Sequence, residues 1–481
     1  MKRWMTLLLC ATIATAAGNT RKDEYVVMAS QAVASDASWN KVALALRDKH
    51  GAALLLYDRE PGELSAALKQ LRPRYVAIVE KPERLDRNFI IKMHEVSRTV
   101  DDDIFADFLW GVITGYDAET AMKMVENSAQ PLVVKDAVAT IMELHEAKWF
   151  DRYAWVDDHT AGLWGEKRGR GEAVTTGRVA REQVLRKFTE LYAAYDPDLV
   201  VTAAHATENN LEMPFSLGNI KAREGCLYAE DRFTRETWDV PGSGKRKIYF
   251  AVGNCLIGNV NGTNKSMAVA WMKGGNATAM IGYVVPTWHG RNGWGGLKYW
   301  LATPGRYSLA EAIYLNQQDF LFQGSEWHPI FARESYPHDR GTMGGKDALT
   351  NALGKTPTND QLGFWHDRDV LAYYGDPLWD ARLQEVAGEN DFTVTTRRDG
   401  KRVTVTVKTG DKFNMKQLAG GGFKEEHVLD IPFSYFFPER LENPRPANGQ
   451  RWKMVADENF LLVYNPAFEP SREYAIVLEV D

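Results

Sequence analysis

The chain has 481 residues, a formal charge of −6 at pH 7, 44% hydrophobic and 25% charged residues. At roughly 100–200 residues per domain, this is ordinary globular composition for a few well-packed units. The mildly acidic balance gives no general electrostatic case for nucleic acid, and three cysteines exclude a disulfide-stapled scaffold.

Lys2 and Arg3 precede an apolar stretch from Met5 to Ile13, and Ala14, Thr15 and Ala16 offer small residues for cleavage. The pattern predicts a signal peptide over residues 1–17 and a secreted or periplasmic mature protein. The stretch is well short of the ~20 residues of a spanning helix, and no later segment is long and apolar enough, so no membrane span is expected. Cleavage leaves Cys226 and Cys255, which could be free or paired.

Residues 18–135 alternate short apolar runs (25–28, 53–57, 75–79) with helical patterns at 39–50 and 61–71. Continuous apolar strands between helices predict a parallel sheet covered on both faces, an α/β subdomain. A second α/β subdomain, 136–388, starts with a predicted helix at 137–149 and a strand at 153–156 that runs into Asp157 and Asp158. A helix is expected at 178–194, then a strand at 199–204 ending in His205, and a strand at 247–252 ending in Gly253, Asn254 and Cys255. A helix at 265–272, a strand at 277–285 and a helix opened by the Ser308–Glu311 capping box and running to about Phe322 follow. Residues 323–365, rich in Gly, Pro, His and Asp, read as long loops. From 389 to 481 the period changes to two. Alternating runs flank Asp399-Gly400, a hairpin signal, and further strands complete a small all-β sandwich of immunoglobulin-like kind.

The chemistry concentrates at two strand ends. Ligands of open α/β sheets bind beyond the carboxyl ends of the strands, so His205 and Cys255 at the ends of neighbouring parallel strands would face one crevice. A thiol must lose its proton, or be polarised by an imidazole, before attacking a carbonyl, and the imidazole must return a proton to the leaving amine. Zinc is disfavoured. His205 and Glu208 have HxxE spacing, and His289, His328, His338 and His366 follow, but there is no HExxH and no paired CxxC. The segment Gly242-Ser243-Gly244-Lys245-Arg246 lacks the first Gly and the Ser/Thr of a phosphate loop.

A strand ending in His followed by one ending in Cys resembles the caspase-like clan of cysteine peptidases. Residues 107–121, with Val112 where Arg is usual, and Tyr374-Gly375-Asp376-Pro377 resemble segments of its gingipain-like branch. The resemblance runs over residues 25–481 and is tightest at 198–320. It implies a caspase-like sheet sandwich in two subdomains followed by the β-domain, and a cysteine endopeptidase acting on protein or peptide through a thioester. Cys255 matches the nucleophile and His205 its partner. The backbone N–H groups of Cys255 and Ala206 match the oxyanion hole, Ala206 standing where the family usually has Gly. Asp157, Asp158 and Glu208 are candidates to orient His205 or read a basic side chain. Trp288 and Trp294 would wall the specificity pocket, and Gly253 and Gly258 would let a substrate backbone approach. No cofactor is required. Structural calcium, as bound by members of the family, is expected on loop carboxylates whose identity the sequence leaves open, as it does the oligomeric state. The alternative is a scaffold of the same fold that binds peptide without cleaving it.

Overall fold

The computed structural model describes residues 24–141, 148–386, 388–389, 391–418 and 432–481. The expected signal peptide lies outside the described residues. Among them, no helix is long and apolar enough to cross a membrane.

Twelve strands form one mixed, mainly parallel sheet. Its order is Ala53–Tyr57, Tyr25–Ser30, Tyr75–Val79, Leu109–Ile113, Leu371–Tyr374, Ala277–Tyr283, Lys247–Ala251, Leu199–Thr202, Asp136–Ala139, Arg152–Val156, Leu163–Lys167 and Thr175–Arg178. The central strands are buried on both faces, Tyr75–Val79, Lys247–Ala251 and Ala277–Tyr283 along their whole lengths. That is why they read as unbroken apolar runs. The first four strands join the rest through a single bridge, Tyr374 opposite Val112, both buried. Asp376 of the Gly-Asp-Pro segment reinforces this seam. Its carboxylate accepts from Tyr25 Oη, Lys49 Nζ and His50 Nε2 at 2.7–2.8 Å. The helix Ala37–His50, which carries the last two, is fixed at one end by the Asp36 cap and at the other by Gly51 at φ +60°.

Several expectations are corrected. Of the helix expected over 137–149, residues 137–139 belong to the strand Asp136–Ala139 and residues 142–147 lie outside the described residues. A short, fully buried apolar run carries no period that separates the two. The helix expected from 178 runs over Val184–Tyr195, and its first expected residue ends the strand Thr175–Arg178. The loops expected over 323–365 are largely helical: Leu309–Trp327 runs past Phe322, and Ile330–Arg333, Lys346–Leu353 and Asn359–Asp367 follow. The polar residues and glycines there are helix ends. Thr358 and Gln361 make a capping box, and Gly354 at φ +66° closes Lys346–Leu353. Cys226 and Cys255 are both free, so the disulfide alternative is excluded. A five-stranded antiparallel side sheet, Ala206–Thr207, Asn210–Glu212, Asn219–Arg223, Cys226–Glu230 and Thr237–Asp239, grows out of the His205 strand and had no counterpart in the expectations.

The C-terminal residues form a four-stranded and a three-stranded antiparallel sheet sharing one apolar core that includes Val405, Phe433, Leu461 and Ile476. The expected hairpin pairs Phe392–Asp399 with Arg402–Thr409 across Gly400 at φ +59°. Tyr307 donates to Ser434 O and Asn459 to Asp107 O, tying these sheets to the α/β body.

Candidate active site

The strands Leu199–Thr202 and Lys247–Ala251 are parallel neighbours, with Thr202 level with Ala251. Three residues past Thr202 stands His205, and four past Ala251 stands Cys255. Both line a cleft of about 960 Å³, together with Asp158, Gly253, Met213, Phe215, Thr287, Trp288, His289 and Trp294. Of the ten candidates from sequence, six therefore share this cleft: His205, Cys255, Asp158, Gly253, Trp288 and Trp294.

The cysteine is half-buried, and that burial pushes its thiol up. The backbone N–H of Thr287 pulls the other way, toward thiolate, and the charge of Asp367 adds to the upward push. Leu256, the next residue, sits at φ +58°, an uncommon conformation for a residue with a Cβ. Its N–H donates to Val285 O. His205 is exposed.

Ala206 faces Leu211 in the side sheet, and Glu212 N–H donates to His205 O. This makes Ala206 a non-hydrogen-bonded position of an antiparallel ladder, so its own N–H turns away from the partner strand, on the free edge of the side sheet. Ala206 is outside the left-handed region that would demand glycine.

Ala206 and three further candidates stand apart from the cleft lining. Asp157 Oδ1 accepts from the backbone N–H groups of His159 and Thr160, closing the turn after its strand. Glu208 accepts from Asn261 Nδ2 at 3.2 Å. Gly258 lies beneath, where a Cβ would come within 2.3 Å of the Gly282 carbonyl oxygen, so it serves close packing of two segments. Gly253 does border the cleft, and a Cβ there would meet Trp294 Nε1 at 3.3 Å. Trp294 is buried in the main core and Trp288 is half-buried beside His289 and His366.

Sequence reading missed the residues that hold this wall. Asp367, wholly buried, accepts from Thr287 Oγ1 at 2.7 Å and from the backbone N–H groups of Trp288, His289 and Gly290 at 2.8, 2.9 and 3.1 Å. His366 Nδ1 lies 2.8 Å away on its other side. Burial opposes the charge, but the His366 ring and these N–H groups hold the carboxyl below the usual carboxylate range. One carboxylate thus shapes the whole turn from Thr287 to Gly290. Nothing near Asp367 in sequence signals this, since the turn it holds comes from another strand end. His289 is a second imidazole of the cleft. Burial and Arg291 hold its pKa down, and its Nε2 lies 3.5 Å from Asp360.

Away from the cleft, Asp101, Asp103 and Asp457 bring carboxylate oxygens within 4.8 Å of one another. Burial, and then the charges of the neighbouring carboxylates, push the buried Asp457 well above the usual carboxylate range. An all-oxygen donor set of this kind suits a hard cation such as calcium.

No family model and no curated protein matches the chain. Among solved structures it is similar to the Arg-specific cysteine proteinase gingipain R, at 10% identity and TM-score 0.40 over 96% of this chain and 92% of that one. A complex of Porphyromonas gingivalis RgpB pro- and mature domains gives 10% identity and TM-score 0.40, covering 95% and 93%. A third chain, described only as a protease, gives 10% identity and TM-score 0.38, covering 96% of each.

Proposed function

We propose that the protein is an exported cysteine endopeptidase with Cys255 as nucleophile and His205 as acid–base partner. The observation that carries this reading is that the two residues end adjacent parallel strands and line one large cleft. His205 takes the thiol proton, and Cys255 Sγ attacks the substrate carbonyl carbon. The backbone N–H groups of Cys255 and Ala206 are the donors proposed for the resulting oxyanion. Collapse breaks the C–N bond, with His205 returning its proton to the leaving amine, and leaves a thioester that water then hydrolyses. Asp158 is the carboxylate of the cleft that would meet a basic side chain, and Trp288 and Trp294 its apolar walls. A calcium ion would be held by Asp101, Asp103 and Asp457, where it supplies charge compensation and takes no part in the reaction. Its binding is read as a rise in Tm on calcium addition that Asp457→Asn removes.

One observation favours a second reading, a peptide-binding scaffold: burial and Asp367 both push the Cys255 thiol away from thiolate. Hydrolysis of a peptide library under reducing conditions separates the two. The endopeptidase reading expects cleavage by the wild type and none by Cys255→Ala. No cleavage by the wild type, or equal cleavage by the variant, overturns it.

A further inference from the structure

Asn254 precedes the proposed nucleophile and is wholly buried. Its Nδ2 donates to the carbonyl of Ala204, the residue before His205, at 2.8 Å. Its Oδ1 accepts from Thr202 Oγ1, also at 2.8 Å. A carbonyl can only accept, so the bond to Ala204 assigns the orientation of the amide. The single hydroxyl proton of Thr202 goes to Asn254, which makes Tyr249 the donor in its 2.9 Å contact with Thr202. Tyr249 is in turn stacked on Trp271 in the core, ring centroids 4.0 Å apart. A directed chain of hydrogen bonds thus runs from the packed interior through Thr202 and Asn254 to the peptide that leads into His205. Val252 N–H still donates to Thr202 O at 3.0 Å. Beyond that pair the Asn254 side-chain amide carries the link between the two segments, to the carbonyl of Ala204.

We infer that Asn254 is a positioning residue for the peptidase reaction, fixing the approach of His205 to Cys255 from behind while touching neither reacting atom. The inference rests on the Cys255–His205 reading above. An asparagine that merely satisfied buried polar groups would affect stability alone. One that sets the geometry of the pair affects how Cys255 ionises and turns over, because small displacements of a catalytic group cost rate steeply.

The test measures the pH dependence of Cys255 alkylation by iodoacetamide, resolved from Cys226 by peptide mass spectrometry. It is run on the full-length wild type, His205→Ala, Asn254→Leu and Thr202→Val, alongside kcat and KM on a cleaved peptide. Asn254→Leu keeps size and removes both hydrogen bonds. Thr202→Val removes the support of the Asn254 amide and serves where the first variant does not fold. The expected result is a wild-type profile displaced to lower pH than that of His205→Ala. Asn254→Leu moves toward the His205→Ala profile and loses about 10–100-fold in kcat at little change in KM, and Thr202→Val moves the same way by less. Folded Asn254→Leu or Thr202→Val with the wild-type profile and kcat overturns the positioning role alone. A wild-type profile identical to that of His205→Ala overturns the pair itself, and the positioning role with it.

Discussion

The two sides of the cleft are built differently. On the Cys255 side, the nucleophile is half-buried, its neighbour Leu256 is held at φ +58°, and the adjoining wall from Thr287 to Gly290 hangs on one buried carboxylate, Asp367. On the other side His205 is exposed and runs into the short outer strand Ala206–Thr207 of the side sheet. The rim there includes Phe215 and Ser216 at φ +61° and +55°. The position of the thiol is set by the interior of the fold. The imidazole is set by an edge strand and by the peptide behind it. Burial on the first side carries a chemical cost, since it favours the neutral thiol. The exposed partner on the second side must supply the proton acceptor that offsets it.

The sharpest way to break this contrast is to remove each member. Cys255→Ala is expected to reduce peptide hydrolysis to background, and His205→Ala to reduce kcat/KM by about 10²–10⁴-fold, the range of general acid–base catalysis. His289→Ala, the other imidazole of the cleft, is the control in the same assay. A larger loss there than in His205→Ala reassigns the base.

Next in size is the buried wall. Asp367→Asn leaves at most one acceptor oxygen for the five groups that meet the carboxylate. It is expected to cost about 3 kcal/mol in urea unfolding and about 10–100-fold in kcat/KM as the Thr287–Gly290 turn loosens. Unchanged stability with unchanged activity would show that the turn holds itself.

The pH behaviour sharpens the same point with a smaller effect. With His205 removed, burial leads the influences on the thiol and the Asp367 charge adds to it, while the backbone N–H groups of Thr287 and of Cys255 itself pull the other way. A raised thiol pKa means that thiolate is scarce at neutral pH and grows as pH rises. In His205→Ala the half-maximal alkylation rate of Cys255 is therefore expected above the ordinary thiol value of about 8.5. Exposed Cys226, in the same chain, is the internal reference. A midpoint below that of Cys226 contradicts the sign.

The smallest effect is expected at Ala206. Its backbone already lies outside the left-handed region, so Ala206→Gly should change kcat/KM by no more than about threefold. A large gain in kcat would mean that the Cβ holds the N–H away from the developing oxyanion.

What could be read from sequence follows the same division. Strands buried on both faces announce themselves as apolar runs, so the positions of His205 and Cys255 at two strand ends were legible, and the pairing of Thr202 with Ala251 makes them neighbours. The hairpin around Gly400 was legible for a local reason, turn chemistry between alternating residues. The side sheet was not, because strands such as Ala206–Thr207 and Thr237–Asp239 are too short and too polar to carry a period. Asp367 and Asn254 were silent for another reason. Each acts on a segment brought near only by folding: Asp367 on the turn after Ala277–Tyr283, Asn254 on the carbonyl of Ala204. The helices after Trp327 were hidden by their own caps, whose Gly, Thr and Pro residues resemble loop composition when the apolar faces between them are short.

The most direct measurement is intact-mass and peptide mapping after incubation with a peptidyl chloromethyl ketone, an electrophile that presents a substrate backbone to the cleft. The account predicts one adduct, on Cys255 and not on the more exposed Cys226, lost in His205→Ala. Labelling confined to Cys226, or labelling of Cys255 that is indifferent to His205, would contradict it.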